Sequence, residues 1–126
     1  MGIILIVDDE APIRDLLAAV LSDVGYRTVI ARHGRQALEL VAHERPDLII
    51  SDLMMPVLNG RLLCQRLKAN PATQGIPIIL MTTAGLEQAR GVPADAYLDK
   101  PFDLGEMEAL IQVLLSHPRT SDGTTA

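Results

Sequence analysis

Aromatic residues are almost missing from this sequence, which has one Phe, two Tyr and no Trp among 126 residues. Because hydrophobic residues still make up 48% of the chain, we expect one folded domain with an aliphatic core rather than disorder. No apolar run approaches the roughly 18 residues of a membrane-spanning helix. The first residues also lack the charged region and cleavage site of a signal peptide. We therefore expect a cytoplasmic protein with no membrane partner.

Positive charge and cysteine are scarce as well. The chain has 11 Lys and Arg against 16 Asp and Glu, a net charge of −5, which argues against unaided nucleic-acid binding through a basic face. The single cysteine, Cys64, excludes an internal disulfide and fits a reducing compartment. Its surroundings in RLLCQRLKA are typical of a small apolar helix residue, with a reactive thiol as the alternative.

Short apolar runs alternate with helical periodicities along the chain. The runs that predict strands are 2–7, 26–31, 47–51, 76–82 and 96–98. Between and after them, apolar residues recur at three- and four-residue spacing, and Asn59 is placed to cap the third helix. Repeated strand–helix units predict a doubly wound α/β domain of (βα)5 type, with a parallel sheet and helices on both faces.

Charged and hydroxyl residues follow the predicted strands at their carboxyl ends. Asp8 and Asp9 follow the first strand, Asp52 the third, Thr82 the fourth and Lys100 the fifth. In parallel α/β sheets, ligands bind outside the carboxyl ends of the strands. If the first and third strands are neighbours, three carboxylates converge, and such an oxygen-rich site suits Mg²⁺ rather than zinc.

Each of these residues also has an ordinary structural explanation. The acids Asp8 and Asp9 stand before a helix, where caps and helix-dipole partners are common. Asp52 can form a turn, Thr82 can simply end a strand, and Lys100 can be a solvated surface residue. The functional interpretation depends on all of them mapping to one edge of one sheet, although they lie far apart in the chain.

Four stretches resemble the receiver domains of bacterial two-component response regulators: VDDE (7–10), SDLMMPVLNG (51–60), MTTAG (81–85) and AYLDKPF (96–102). The likeness covers about residues 3 to 116. It implies a flavodoxin-like sheet with strand order 2-1-3-4-5. We expect a receiver domain over 1–116, followed by a polar segment over 117–126 that is a tail, a linker or a boundary of a longer chain.

The resemblance also implies a mechanism. Asp52 would accept a phosphoryl group from a phosphohistidine on a sensor histidine kinase or a histidine phosphotransfer protein. Asp9, Asp52 and the backbone carbonyl of Met54 would bind Mg²⁺ directly, with Mn²⁺ as the alternative ion, and Asp8 would act through a water. Lys100 would provide a mobile charge for the phosphate.

The family resemblance further implies a cis Lys100–Pro101 peptide bond and a switch. The hydroxyl of Thr82 would hydrogen-bond the phosphoryl group and draw in the following loop, so that Tyr97 could rotate. Thr83 remains a second candidate for the switch hydroxyl, because the family usually has Ala at that position. Tyr97 can equally be an edge-strand aromatic packed on the last helix. The changed surface would then meet a downstream effector domain or protein.

One feature departs from the family pattern, and another concerns how long a phosphoryl group would persist. Between Thr82 and Lys100 the chain is about one helical turn short, so we expect the fourth helix, near Leu86–Arg90, to be stunted or disordered. The side chains of Met54 and Ala84 would flank the water approach to the phosphoryl group. Because neither can orient a water, we expect slow self-dephosphorylation.

Two other classes of protein fit the sequence less well. A phosphatase with an Asp nucleophile would need a general acid at Met54, and a flavin- or nucleotide-binding module would need a phosphate loop where the acids at 8–10 would repel phosphate. We therefore expect a signalling phosphoacceptor rather than an enzyme acting on other substrates. A stand-alone receiver and one domain of a longer regulator both fit the sequence.

Overall fold

The structure is a computed structural model that describes residues 2–83 and 85–116; the expected tail at 117–126 lies outside the described residues. The strands are β1 (Ile3–Val7), β2 (Arg27–Ala31), β3 (Leu48–Asp52), β4 (Ile78–Thr82) and β5 (Ala96–Asp99). The α-helices of the described part are α1 (Ala11–Asp23), α2 (Gly34–His43), α3 (Gly60–Ala69) and α4 (Leu104–Ser116). All pairs are parallel, in the order β2-β1-β3-β4-β5. This confirms the doubly wound α/β fold and its strand order.

Alternate residues of the strands form two apolar layers, one on each face of the sheet. On one face, Leu5 and Ile49 pack with residues of α2 and α3. On the other face, Ile4 and Ile50 pack with residues of α1 and α4. Burying each such side chain contributes roughly 1.5–3 kcal/mol. The buried members of both layers are aliphatic, Met or Cys, which confirms the aliphatic core expected from the composition.

Side-chain caps fix where α2 and α3 begin. The Asn59 side chain accepts a hydrogen bond from the Leu62 amide at 3.0 Å, so Asn59 is the cap that the sequence predicted. At α2, His33 Nδ1 accepts from the Gln36 amide at 3.2 Å. These caps satisfy amides that have no partner inside the helix.

The fourth helix of the expected pattern is reduced to a single 3₁₀ turn, Leu86–Ala89. Gly85 and Gly91 flank the turn with φ of 89° and 80°, values that glycine adopts without strain. The guanidinium of Arg61, on α3, donates to the Gln88 carbonyl at 3.0 Å and to the Arg90 carbonyl at 3.2 Å. The prediction of a stunted fourth helix is confirmed, and Arg61 supports what remains of it.

The loop between β3 and α3 is held tightly against the sheet. Its Leu53, Met55 and Leu58 side chains are buried, and the Gly60 amide donates to the Leu53 carbonyl at 2.9 Å. A Cβ at Gly60 would lie 2.3 Å from the Asp52 carbonyl oxygen. Glycine is required there because the backbone approaches itself too closely for any side chain.

Two further properties of the described helices are their length and the cysteine in α3. None of the helices described in 2–83 and 85–116 is long and apolar enough to cross a bilayer. Cys64 is a free, fully buried residue of α3, and burial raises the pKa of its thiol to about 12. A neutral, buried thiol is a packing residue rather than a reactive one.

One residue of the β3–α3 loop has a strained backbone. Val57 has φ of 69° and lies at the centre of a three-residue turn in which the Leu58 amide donates to the Pro56 carbonyl at 2.7 Å. Such γ-turns are rare and strained, and a β-branched residue tolerates positive φ least. The Val57 side chain is 71% exposed, so it gains little from packing in return.

We expect Val57→Gly to raise the free energy of unfolding by about 1 kcal/mol, because relief of backbone strain exceeds the entropic penalty of glycine. Urea denaturation followed by circular dichroism measures the change. Val113→Gly is the matched control, since Val113 is also exposed but lies in α4. That variant should be less stable than the natural chain. A Val57→Gly variant that is no more stable would contradict the strain.

Candidate functional site

The strand register brings the acidic residues together at the carboxyl edge of the sheet. Val7 of β1 is level with Ser51 of β3, so the residues that follow β1 lie beside the end of β3. Carboxylate oxygens of Asp8, Asp9 and Asp52 all lie within 4.8 Å of one another. The structure therefore brings together the three acids that the sequence placed there.

Lys100 enters this cluster from the end of β5. Its Nζ lies 2.8 Å from Asp8 Oδ2, 3.5 Å from Asp52 Oδ1 and 3.3 Å from Glu10 Oε1. The backbone amide of Lys100 donates to the Thr82 carbonyl at 2.8 Å, and the Lys100–Pro101 peptide bond is cis. Sequence reasoning did not assign Glu10 a role, although its position directly after two acids was the available signal.

Asp8 is fixed by hydrogen bonds on both carboxylate oxygens. Oδ2 accepts from Lys100, and Oδ1 accepts from the Glu10 amide at 2.9 Å. The Asp8 carbonyl accepts from Arg14 at 2.8 Å. Asp9, in contrast, is exposed, and within the described residues its side chain forms no hydrogen bond. One acid is thus locked in place, and its neighbour is open to solvent.

Burial and like charge disturb the ionisation of Asp52. The residue is only 6% exposed. Burial and, to a lesser extent, the Asp8 charge raise the pKa of its carboxyl, Lys100 partly offsets the rise, and the resulting pKa is about 6. Burial by itself lowers the pKa of Lys100. The hydrogen bond to Asp8 and the charge of Asp52 outweigh burial, so the pKa of Lys100 lies above its usual value.

The remaining residues of interest surround this cluster. Thr82 is fully buried at the end of β4, whereas Thr83 is exposed. Tyr97 is 40% exposed; its hydroxyl donates to the Val92 carbonyl and accepts from the Ala94 amide at 3.3 Å. The Met54 side chain is 61% exposed. Ala84 lies outside the described residues.

The donor set fits a hard divalent cation. The three grouped side chains offer oxygen atoms alone, and a small cluster of carboxylates suits Mg²⁺ better than zinc or copper. Lys100 contacts Asp8 and Asp52 and offsets one of the three formal negative charges, so the cluster stays formally negative and favours a further cation. The opening of the site through exposed Asp9 leaves an approach for an ion from solvent.

The strand order and the position of the site at the carboxyl edge define a flavodoxin-like α/β domain. A family model described as the response regulator receiver domain matches residues 4–112. The chain belongs to this family.

Two curated relatives illustrate the match. The chain is 42% identical over 124 residues to the phosphate regulon transcriptional regulatory protein PhoB of Pseudomonas aeruginosa, covering 95% of this chain and 53% of that protein. It is 39% identical over 124 residues to the response regulator MprA of Mycolicibacterium vanbaalenii, again covering 95% and 53%. The chain spans about half the length of these relatives.

Solved structures give the same result. The signal receiver domain of a histidine kinase from Syntrophus aciditrophicus is 34% identical with a TM-score of 0.91, covering 100% of this chain and 98% of that one. The receiver domain of sensor histidine kinase PA1611 from Pseudomonas aeruginosa is 28% identical with a TM-score of 0.86, covering 91% and 98%. That structure has a magnesium ion coordinated in its active-site cleft.

The raised pKa of Asp52 predicts a pH-dependent stability. Its pKa is about 6 in the folded chain and about 3.9 in an unfolded one, so the folded state binds the extra proton. Ionisation of Asp52 therefore lowers stability as pH rises from about 4 to about 7. In metal-free buffer, we expect Asp52→Asn to gain about 2 kcal/mol relative to the natural chain over this range.

Urea denaturation in EDTA at a series of pH values measures that difference. Asp15→Asn is the control, because Asp15 is an exposed acid of α1. The stability difference between this control and the natural chain gives the effect of removing an exposed carboxyl at each pH. A difference for Asp52→Asn that follows the control at every pH would contradict the raised pKa of Asp52.

Proposed function

We propose that this chain is the phosphoacceptor switch of a two-component phosphorelay, with Asp52 as the phosphoacceptor. The observation that carries the proposal is the meeting of Asp52 with Asp8, Asp9 and Lys100 at one sheet edge. Family membership supports it at the level of the domain. An acid that only formed a turn at a strand end would not require two further acids and a buried lysine beside it.

In the proposed reaction, a carboxylate oxygen of Asp52 attacks the phosphorus of a phosphohistidine on a sensor histidine kinase or a histidine phosphotransfer protein. A P–O bond forms and the P–N bond breaks, and its electron pair returns to the imidazole nitrogen. The product is an aspartyl phosphate. A pKa of about 6 leaves Asp52 mostly ionised near neutral pH, as a nucleophile must be.

Asp9 and Asp52 would hold Mg²⁺ together with the backbone carbonyl of Met54, and Mn²⁺ is the alternative ion. Asp8 would contact the ion through water, which agrees with both of its oxygens already accepting hydrogen bonds. When bound, the ion offsets the charge on the phosphoryl oxygens. The exposed Asp9 is the member of the set with free coordinating capacity.

Lys100 would hold the phosphoryl group by charge. Its Nζ lies 3.5 Å from Asp52 Oδ1, close enough to reach an added oxygen by a small side-chain movement. Before phosphorylation, the same ammonium stabilises the buried carboxylates of Asp8 and Asp52. After phosphorylation the local negative charge increases, and Lys100 would shift toward the phosphate.

Thr82 is the proposed switch hydroxyl, with Thr83 as the second candidate. Thr82 is buried beside Lys100, whose amide it binds, while Thr83 faces solvent. A hydrogen bond from Thr82 to the phosphoryl group would draw in the loop after β4. Tyr97 could rotate only after its hydroxyl broke its hydrogen bonds to the Val92 and Ala94 backbone. Its role as a switch therefore competes with a role as a fixed anchor.

The proposed partners are a kinase or phosphotransfer protein upstream and an effector downstream. Relatives named as transcriptional regulators include PhoB and RpaA of Synechocystis, the second also named as DNA-binding. Because the chain spans about half of the PhoB relative, we propose that any DNA contact belongs to a separate effector rather than to this acidic domain. A cytoplasmic location follows from such partners.

Acetyl phosphate with Mg²⁺ should add the mass of one phosphoryl group to the chain, because Asp52 is positioned as the nucleophile. Intact-mass spectrometry measures the addition. Asp52→Asn should remove it, whereas Asp15→Asn, an exposed acid of α1, should retain it. EDTA should abolish the reaction, and Asp9→Asn should slow it at least tenfold.

Equal phosphorylation of the natural chain and Asp52→Asn would overturn the assignment of the phosphoacceptor. Phosphorylation that is indifferent to EDTA would leave the phosphoacceptor in place and remove the metal site. A melting curve for each variant establishes that it is folded before its reactivity is compared.

The aspartyl phosphate should be long-lived, with a half-life of minutes or more in Mg²⁺ buffer. The exposed Met54 side chain has no group that can orient an attacking water. We expect Met54→Gln to shorten the half-life several-fold and Val113→Gln, on α4, to leave it unchanged. Loss of phosphate mass with time measures both, and a half-life of only seconds for the natural chain would refute the prediction.

A further inference from the structure

A groove runs between α2 and α3, away from the Asp52 site. It consists of two adjoining cavities of about 340 and 370 Å³ that share Leu38 and Arg66. Each volume falls in the range of about 300–1,000 Å³ that is usual for binding pockets. The α2–α3 groove, as we call it, extends from Val57 and Leu58 at one end to Asn70 at the other.

The floor of the groove is apolar. Leu38 and Val41 contribute from α2 and Leu67 from α3, and the β3–α3 loop adds Leu58 and Val57. Val57 keeps its branched side chain in solvent on a strained γ-turn. Backbone strain that is not compensated by packing within the chain is commonly associated with function. A contact made by that side chain with another molecule would account for it.

The rim of the groove is cationic. It includes Arg35, Arg45 and Arg66, with Glu39 as the acid among the lining residues. Within residues 2–83 and 85–116, none of the ion pairs formed involves any of these three arginines. Unpaired positive charge is therefore gathered at one place on a chain whose net charge is −5.

The opposite face of the molecule has the opposite charge. In α3, Arg61, Arg66 and Lys68 are accompanied by no acidic residue, whereas α4 has Glu106 and Glu108 and no basic residue. The uneven distribution would direct a negatively charged partner to the groove and away from α4.

We propose that the α2–α3 groove is a docking site for an acidic, amphipathic helical segment of a partner protein. An apolar stripe with i, i+3, i+4 and i+7 spacing would lie on the floor, and flanking carboxylates would meet the arginines of the rim. Nucleic acid would use the arginines but would leave the apolar floor without a counterpart, and a flat anionic membrane surface would not fill a groove between two helices. The charge pattern together with that floor selects a peptide.

The groove and the Asp52 site share one loop. Asp52 precedes this loop, Val57 and Leu58 line the groove, and the Leu58 carbonyl accepts from the Gly34 amide of α2 at 2.8 Å. The proposed docking does not depend on phosphorylation, so its test can use the unmodified chain.

The test uses two synthetic helical peptides added to the ¹⁵N-labelled chain and followed by amide chemical shifts. Both have Leu at the stripe positions; the acidic probe has Glu elsewhere, and the basic probe has Lys. We expect the acidic probe to shift amides of residues 35–42 and 57–67 and the basic probe to shift none of them. The double variant Arg35→Glu, Arg66→Glu should bind the acidic probe at least tenfold more weakly and should bind the basic probe.

Two variants separate docking from folding. Val57→Gly should weaken binding of the acidic probe several-fold while raising the melting temperature of the chain, so loss of structure cannot explain the loss of binding. Arg32→Glu reverses an exposed charge that does not line the groove and should leave binding unchanged.

Several outcomes would overturn the proposal. The peptide site would be refuted if the acidic probe caused no chemical-shift changes at groove residues, or if both probes caused equal changes. Groove shifts produced by duplex DNA or by phosphatidylserine vesicles, but not by the acidic probe, would reassign the surface to a polyanion. Concentration-dependent groove shifts without any probe would reassign it to self-association.

Discussion

The contact between the Lys100 ammonium and the Asp8 carboxylate, at 2.8 Å, is the interaction on which the site depends. Asp8 is fully buried and lies close to Asp52, and two such carboxylates at about 4 Å repel by roughly 4 kcal/mol at an effective dielectric of about 20. A cation placed between them offsets that repulsion without filling the open side at Asp9. The arrangement is stable enough to fold and remains short of positive charge, so it can accept a metal ion.

The β3–α3 loop connects this site to the rest of the surface. It begins after Asp52, is anchored through buried Leu53 and Leu58, and requires glycine at position 60 because its backbone packs on itself. At Val57 the loop has an exposed side chain on strained backbone. The loop is thus held in place where it supports Asp52 and presents an apolar side chain where it borders the α2–α3 groove.

Much of the fold can be predicted from the order of apolar and polar residues along the chain. The continuous apolar runs at β1, β3 and β4 predict strands covered on both faces, and their observed ends differ from the predicted ones by at most two residues. The convergence of Asp8, Asp9 and Asp52 follows from parallel strands ending at one edge, once β1 and β3 are neighbours. That pairing came from the family resemblance, because periodicity does not specify which strands lie side by side.

The sequence by itself determined the strands and the aliphatic core, because these depend on local spacing and composition. The family resemblance added the short fourth helix and the strand order that brings the acids together at one edge. Tertiary structure alone decided that Glu10 reaches Lys100, that Arg61 supports the 3₁₀ turn, and that Arg35 and Arg66 face one groove. The members of these pairs are 27 or more positions apart in the sequence, and each has the pattern of an ordinary solvated side chain. Only the packing of one element on another distinguishes them.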